Sequence, residues 1–509
     1  MTVLSPSLII LATGDDVAVT RSTVAEGESL CVTGINLVAK ETIPSGHKVA
    51  IRAVPSGGVV HKYGQVIGQA TQDIRQGEHV HVHNLEMPVE GAFHESNHLF
   101  VPTSMVNKPM TFEGFLRDDG RVGTRNFIGV ISSVNCSATV CKQIAAAFQG
   151  EALREWPGVD GVVAITHGSG CGMGANGDGF DILSRTLRGY SNHVNFAGIL
   201  LIGLGCEVNQ LTPLMEALTP RSSTLMSSLV IQEQGGTRET IEHGKSRVRQ
   251  MLPIINEARR TPQSLRHLTV GLQCGGSDGY SGISANPVLG AAVDLLVRNG
   301  GTAILSETPE IYGAEHLLTA RAATQDVAAR LMSRVHWWED YVVHNGGDMN
   351  NNPSPGNKAG GITTILEKSL GAVAKAGTSG LMDVYQYAEP VTAQGLVFMD
   401  TPGYDPVSAT GQVAGGANLI CFTTGRGSTY GCKPTPSIKI ATNTSLFERM
   451  PLDMDFNAGG IIDGSDSIES AGYRLFEFMV ATASGLKTCS ELNGLGDNEF
   501  LPWQIGAVM

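Results

Sequence analysis

The chain has 509 residues, 42% of them hydrophobic, and a formal charge of −13. That length implies about two to four domains with true cores, which excludes wholesale disorder. The acidic balance and the lack of a basic tract exclude a nucleic-acid binder, and no apolar run reaches membrane-spanning length. From the N-terminus, the first apolar stretch lies at 8–12, has no basic flank and is soon followed by Asp15 and Asp16. It reads as a first strand and not as a signal peptide, so the expected compartment is the cytoplasm. Nine cysteines, odd in number and widely spaced, fit free thiols or metal ligands better than a disulfide framework.

Residues 7–88 read as a small, barrel-like all-β module. Segments at 29–32, 47–54, 65–70 and 79–83 alternate with the turn signals Pro44-Ser45-Gly46, Pro55-Ser56-Gly57-Gly58 and Gln76-Gly77-Glu78. Residues 89–111 lack periodicity and contain Pro102 and Pro109, so they read as a linker. From 112 onward the pattern becomes strand, glycine loop, helix. A strand at 126–134 leads to a helix at 137–148 with Ser137 as N-cap. Strands at 162–165, 199–202 and 268–272 each stop at a cluster of Gly with Cys, His, Asp or Glu, that at 302–306 stops at Glu307 and Glu310, and further strands fall at 380–385, 395–399 and 418–423. Helical spacing recurs at 237–252 and 314–322. The break at Arg259-Arg260-Thr261-Pro262 divides this part into domains at 112–260 and 266–509. Continuous apolar runs suit strands buried on both faces of a parallel sheet, whose ligands bind outside the carboxyl ends. The expected fold is therefore α/β: a small N-terminal β domain followed by two α/β domains with largely parallel sheets.

Several segments carry a resemblance. The stretch 114–126 (Gly114-Phe115-Leu116-Arg117-Asp118-Asp119-Gly120-Arg121-Val122-Gly123-Thr124-Arg125-Asn126), with Ile202-Gly203-Leu204-Gly205-Cys206-Glu207 and Gln273-Cys274-Gly275-Gly276-Ser277-Asp278, is similar to the catalytic part of the altronate/galactarate dehydratase family. So are the stretch 352–361, from Asn352 to Gly361, and Phe422-Thr423-Thr424-Gly425-Arg426-Gly427. Gly46-His47-Lys48-Val49-Ala50 and His79-Val80-His81-Val82-His83-Asn84 resemble the β-clip (SAF) domain these enzymes carry in front, and the histidine run leans toward the altronate branch. The resemblance implies an iron- or manganese-dependent lyase that removes water from a sugar acid to leave a 2-keto-3-deoxy acid. A galactarate-type substrate and a sulfo-lyase acting on a sulfonated hydroxy acid are the alternatives within it. It implies a small-molecule partner, with no nucleic acid and no membrane, and a homo-oligomer is compatible with it.

Such a dehydration needs a base for the proton beside the carboxylate, positive charge for the enediolate, and an acid for the leaving hydroxyl. The strand-end residues His167, Cys171, Cys206, Glu207, Cys274 and Asp278 offer a mixed N, O and S ligand set that suits Fe2+ or Zn2+ better than Mg2+. With Cys136, the thiols at 171, 206 and 274 also raise an iron–sulfur cluster as the lesser alternative, and small buried thiols beside glycines are the plain one. His79, His81 and His83 alternate, so a strand would put them on one face, either for function or as a solvent face. Family position marks His47 for the active site. Arg121, Arg125, Asn126 and Arg426 beside glycines are candidate grips for a carboxylate. Asn357 and Lys358 lie in a Pro/Gly-framed loop, where Lys358 would serve as a cation or base. Glu307 and Glu310 bracket Pro309 as candidate acid–base groups, ligands or helix caps. Gly172-Met173-Gly174-Ala175-Asn176-Gly177 matches a dinucleotide fingerprint, but residues 194–198 lack the acidic partner it requires.

Overall fold

Short apolar runs punctuated by glycine turns fold the N-terminal part into antiparallel β structure. A five-stranded sheet runs Val3–Leu4, Leu8–Ile10, Val17–Thr20, Lys48–Ala50, His79–Val80, and a three-stranded sheet runs Leu85–Glu86, Gln65–Ala70, Val59–Lys62. The computed structural model describes residues 3–4, 7–88, 99–216, 218 and 224–506. The strand expected at 79–83 ends at Val80. Asn84 reaches back, its Oδ1 accepting from His81 N at 2.9 Å and its Nδ2 donating to His79 O at 2.9 Å, and so turns the chain.

Part of the expected linker, 89–98, lies outside the described residues. Residues 99–110 run without regular structure along the C-terminal α/β domain, where Val106 N donates to Arg298 O and Met110 N to Asn299 Oδ1, both at 2.9 Å. Thr111–Leu116 then pairs antiparallel with Val122–Gly123 and with Thr261–Ser264. The break at Pro262 is thus a strand, and it sits on the sheet edge, where a residue without an N–H is tolerated.

The middle domain holds four parallel strands in the order Gly161–Ile165, Phe127–Ser132, Phe196–Gly203, Leu225–Val230. The C-terminal domain holds seven parallel strands. Their order is Leu381–Tyr385, Gly395–Met399, Thr302–Leu305, Thr269–Cys274, Leu419–Thr424, Ser437–Ala441, Phe456–Asn457. The continuous burial of the inner strands Thr269–Cys274, Thr302–Leu305, Gly395–Met399 and Leu419–Thr424 matches the unbroken apolar runs, as expected for a parallel sheet covered on both faces. The helix expected at 314–322 is a single turn, His316–Thr319. Val60, Ile67 and Leu85 of the β-clip share one buried cluster with Leu289, Leu370 and Leu396, so the N-terminal module packs into the C-terminal core. Among the described residues no helix is long and apolar enough to cross a membrane.

Candidate active site

Both parallel sheets reverse their strand order beside the first strand, so topology provides two crevices at carboxyl ends. Side-chain chemistry separates them. At the middle-domain end, Glu207 accepts from Ser133 Oγ at 2.8 Å, Leu204 N at 3.2 Å and Gly205 N at 2.6 Å, which closes its own loop. His167 is buried against Ser132 O at 3.2 Å, and burial pushes its pKa down to about 4. Cys136, Cys171 and Cys206 are exposed. On the other sheet, Asp278 is consumed as an acceptor for Tyr280 N, Ser281 Oγ and Thr442 Oγ1. The six expected ligands therefore do not form one site. They stand at the ends of two different sheets, and among the described residues five of them join no group of three donors close enough to share an ion.

Cys274, the last residue of the central C-terminal strand, is the exception. Its thiol donates to Glu310 Oε2 at 3.1 Å, and Cys274 Sγ, Glu307 and Glu310 place ligand atoms within 4.8 Å of one another. Glu307 follows the next strand with φ +70°, a strained conformation for a side chain of its size, and its Oε1 is buried without a hydrogen-bond partner. Two ammonium groups face these acids. Lys375 Nζ lies 2.9 Å from Cys274 Sγ and 3.1 Å from Glu307 Oε2, and Lys368 Nζ donates to Glu310 Oε1 and Asn352 Oδ1, both at 2.7 Å. Asp405, at the start of helix Asp405–Ala414, packs so tightly on Gly275 that a Cβ there would come 2.1 Å from its Oδ2. Burial, with Glu310 beside it, raises the Asp405 carboxyl to about 6. Burial and the Glu310 charge likewise push Glu307 up, and burial with Glu310 pushes the Cys274 thiol up. For Glu310, burial is outweighed by Lys368 and Lys375, which hold it below the ordinary carboxylate value.

The β-clip closes over this end. Gly46, φ +81°, brings its turn against Tyr280, and a Cβ on Gly361 would lie 2.4 Å from Gly46 O. Lys48 and Lys62 both donate to Glu367 at 2.8 Å, and all three are buried. Burial lowers Lys48 to about 8 against the pull of Glu367. Glu367 is held well below its ordinary value because the two lysines overcome burial. A small cavity is lined by Lys62 and Glu367 on the β-clip side and by Cys274, Asp278 and Lys368 on the other. A cleft of about 780 Å3 follows the outer strand Gly161–Ile165 and includes none of the cluster residues. His47 is buried, with Nε2 3.3 Å from Ala359 O.

The remaining expected residues divide. Arg125 is fully buried, and its five N–H donors go to Glu491, Thr124 O, Thr482 O and Leu486 O, leaving none for a substrate. Asn126 is likewise spent on Arg117, Gly158 O and Ile255 O. Arg121 pairs with Asp119 on the surface. Arg125 and Asn126 are corrected from substrate grips to structural residues. Asn357 completes a capping box with Ser354 and donates to Ser277 O. Lys358 follows it, half-buried, and exposed Arg426 donates its backbone N to Gly276 O beside Cys274. Lys368, Lys375, Asp405, Lys48, Lys62 and Glu367 were not singled out from the sequence. The one available signal was the seven-residue spacing of Lys368 and Lys375, which two helical turns place on one face.

Three family models match in series. They are the altronate/galactarate dehydratase SAF domain at 6–88, the D-galactarate dehydratase/altronate hydrolase second domain at 114–256, and the D-galactarate/altronate dehydratase C-terminal domain at 265–508. The chain is 35% identical over 488 residues to an altronate dehydratase of Bacillus subtilis, covering 96% of this chain and 97% of that one. It is 38% identical over 476 residues to a galactarate dehydratase (L-threo-forming) of Escherichia coli, covering 91% and 90%. It is also 31% identical over 398 residues to the beta subunit of a (2R)-sulfolactate sulfo-lyase of Chromohalobacter salexigens, covering 77% and 97%.

Proposed function

The chain belongs to the altronate/galactarate dehydratase family, and from that premise we propose that it dehydrates an altronate-type aldonate to a 2-keto-3-deoxy acid. The observation that carries this reading is the buried grouping of Cys274, Glu307 and Glu310 with Lys368, Lys375 and Asp405 at the carboxyl end of the central strand. The donor set fits Fe2+ or Mn2+, which Cys274 Sγ, Glu307 and Glu310 would hold. The unpartnered Glu307 Oε1 supports this, because a buried carboxylate oxygen left unpaired is costly. Bound there, the ion supplies Lewis-acid stabilisation of the enediolate and of the departing hydroxyl.

Charge balance supports the same reading. Lys368 and Lys375 offset Glu307 and Glu310, and ionising Cys274 and Asp405 leaves two negative charges for a divalent ion to match. Asp405 is the acid–base group: its carboxylate takes the proton beside the substrate carboxylate, and the C–H electrons pass into the enediolate. Lys368 and Lys375 stabilise that charge, the proton held by Asp405 passes to the 3-hydroxyl, which leaves as water, and the enol then ketonises. Lys358 and Arg426 hold the substrate carboxylate at the rim, and His47 closes the β-clip side. An iron–sulfur cluster has less support, because three of the four thiols are exposed on one sheet while Cys274 is buried on another. All nine cysteines are free, which fits a reducing cytoplasm.

The test is to supply the chain anaerobically with Fe2+ and then with altronate, galactarate or sulfolactate in turn. A 2-keto-3-deoxy acid from altronate is expected. Turnover of galactarate alone would move the reading to a hexarate dehydratase, and sulfite release would make it a sulfo-lyase.

A further inference from the structure

We propose that His47, His79 and His81 of the β-clip form a three-imidazole site for a late first-row divalent ion such as Zn2+, distinct from the Cys274–Glu307–Glu310 cluster. One ligand atom from each ring lies within 4.8 Å of those of the other two. The ring centroids are 4.9–5.2 Å apart, with His79 and His81 stacked at 14°. His47 Nδ1 stands 3.0 Å from His79 Nε2, close to the roughly 3.3 Å that separates two nitrogens sharing a tetrahedral ion at about 2.0 Å from each.

The tautomer is fixed in the sense a ligand needs. His47 Nε2 faces the Ala359 carbonyl, which only an N–H can satisfy, so Nδ1 keeps its lone pair toward His79. A backbone carbonyl holding the far nitrogen is the usual support of a metal-binding imidazole. His81 Nδ1 is buried and has no hydrogen-bond partner. The backbone that presents the rings is locked by Asn84 on one side and by pairing of His79 with Val49 on the other.

Three neutral nitrogens without carboxylate or thiolate suit Zn2+, Co2+, Ni2+ or Cu2+ and disfavour Mg2+ or Ca2+. They also leave a fourth position for water or an anion. The site stands on imidazole geometry alone and does not depend on which sugar acid is turned over.

The probe is Co2+ added to the chelator-stripped full chain. The visible ligand-field bands of nitrogen-ligated Co2+ are expected in wild type and absent in the His79→Ala/His81→Ala variant, which should bind one ion fewer. Any thiolate-to-Co2+ charge transfer in the near ultraviolet should survive in that variant and vanish in Cys274→Ala, which keeps the ligand-field bands of the imidazole site. Unchanged stoichiometry and bands in a folded histidine variant would overturn the proposal. If that variant does not fold, the Cu2+ electron paramagnetic resonance spectrum of wild type decides: imidazole nitrogen coupling is expected, and its absence refutes the site.

Discussion

Asp405 sits where a change of one atom separates chemistry from stability. Its folded pKa, about 6, lies above the ordinary 3.8, chiefly through burial. Its contribution to stability is therefore complete below pH 3.8 and is lost as pH rises through about 6. Asp405→Asn should raise stability at pH 7, by at most about 2–3 kcal/mol, and lower turnover by about 10²–10⁴-fold. Urea unfolding at pH 5 and pH 7 checks the first part. A pH–rate profile checks the second, since the limb rising through about pH 6 should vanish in the variant. Lys375→Met takes the ammonium from Cys274 and Glu307 while leaving the carboxylate buried. Breaking a buried pair in this way costs about 3–5 kcal/mol, read as a lower denaturation midpoint. At this scale the sequence was legible where reactive side chains gather at strand ends, beside glycines at Cys274 and around Pro309 at Glu310. Arg125 misled because the same glycine-flanked setting serves domain stitching. Lys368 and Lys375 offered only their seven-residue spacing, because a lysine on a helix face reads as solvated until the packing partner is known.

The helix Ile365–Val373 is the element that joins the two halves of the site. Thr364 caps it by accepting from Glu367 N, and successive side chains then point to different neighbours: Glu367 to Lys48 and Lys62, Lys368 to Glu310. Glu367→Gln leaves two buried lysines without their counter-charge, so it should cost about 3–5 kcal/mol. The sign with pH follows from Glu367 being held below its ordinary 4.5: its stabilisation is present above pH 4.5 and is eroded as pH falls below that value. Thermal melts from pH 7 down to pH 3 should therefore fall more steeply for wild type than for Glu367→Gln, and parallel slopes would deny the triad this role. The parallel strands were readable because burial on both faces forces unbroken apolar runs, as in Thr269–Cys274 and Leu419–Thr424. The histidine run obeyed a different constraint. Period-two alternation suggested a strand through His83, yet the side chain of Asn84 turned the chain after Val80, and a turn brings His79 and His81 together as an alternating face was expected to.

Over the whole molecule, the β-clip is seated on the C-terminal domain by a close backbone contact. Its turn at Gly46 and the 357–361 loop approach through bare backbone, with Gly361 at φ +101° and room for no Cβ. Gly361→Ala would drive a methyl group to 2.4 Å from Gly46 O, so one of the two segments must retreat. The seven-stranded sheet does not depend on that contact, whereas His47, Lys48 and the cavity shared with Cys274 do. Misplacing a catalytic surround by about 1 Å costs on the order of 10²-fold in rate. Gly361→Ala should therefore lose turnover by about that factor while the unfolding midpoint of the C-terminal domain stays near wild type. Circular dichroism melts read beside kcat separate the two quantities. A variant with full kcat would mean that the β-clip packs on the catalytic domain without shaping its site. A variant that loses kcat and fold together would mean that the contact is part of the core, as the shared burial of Val60, Ile67 and Leu370 would then require.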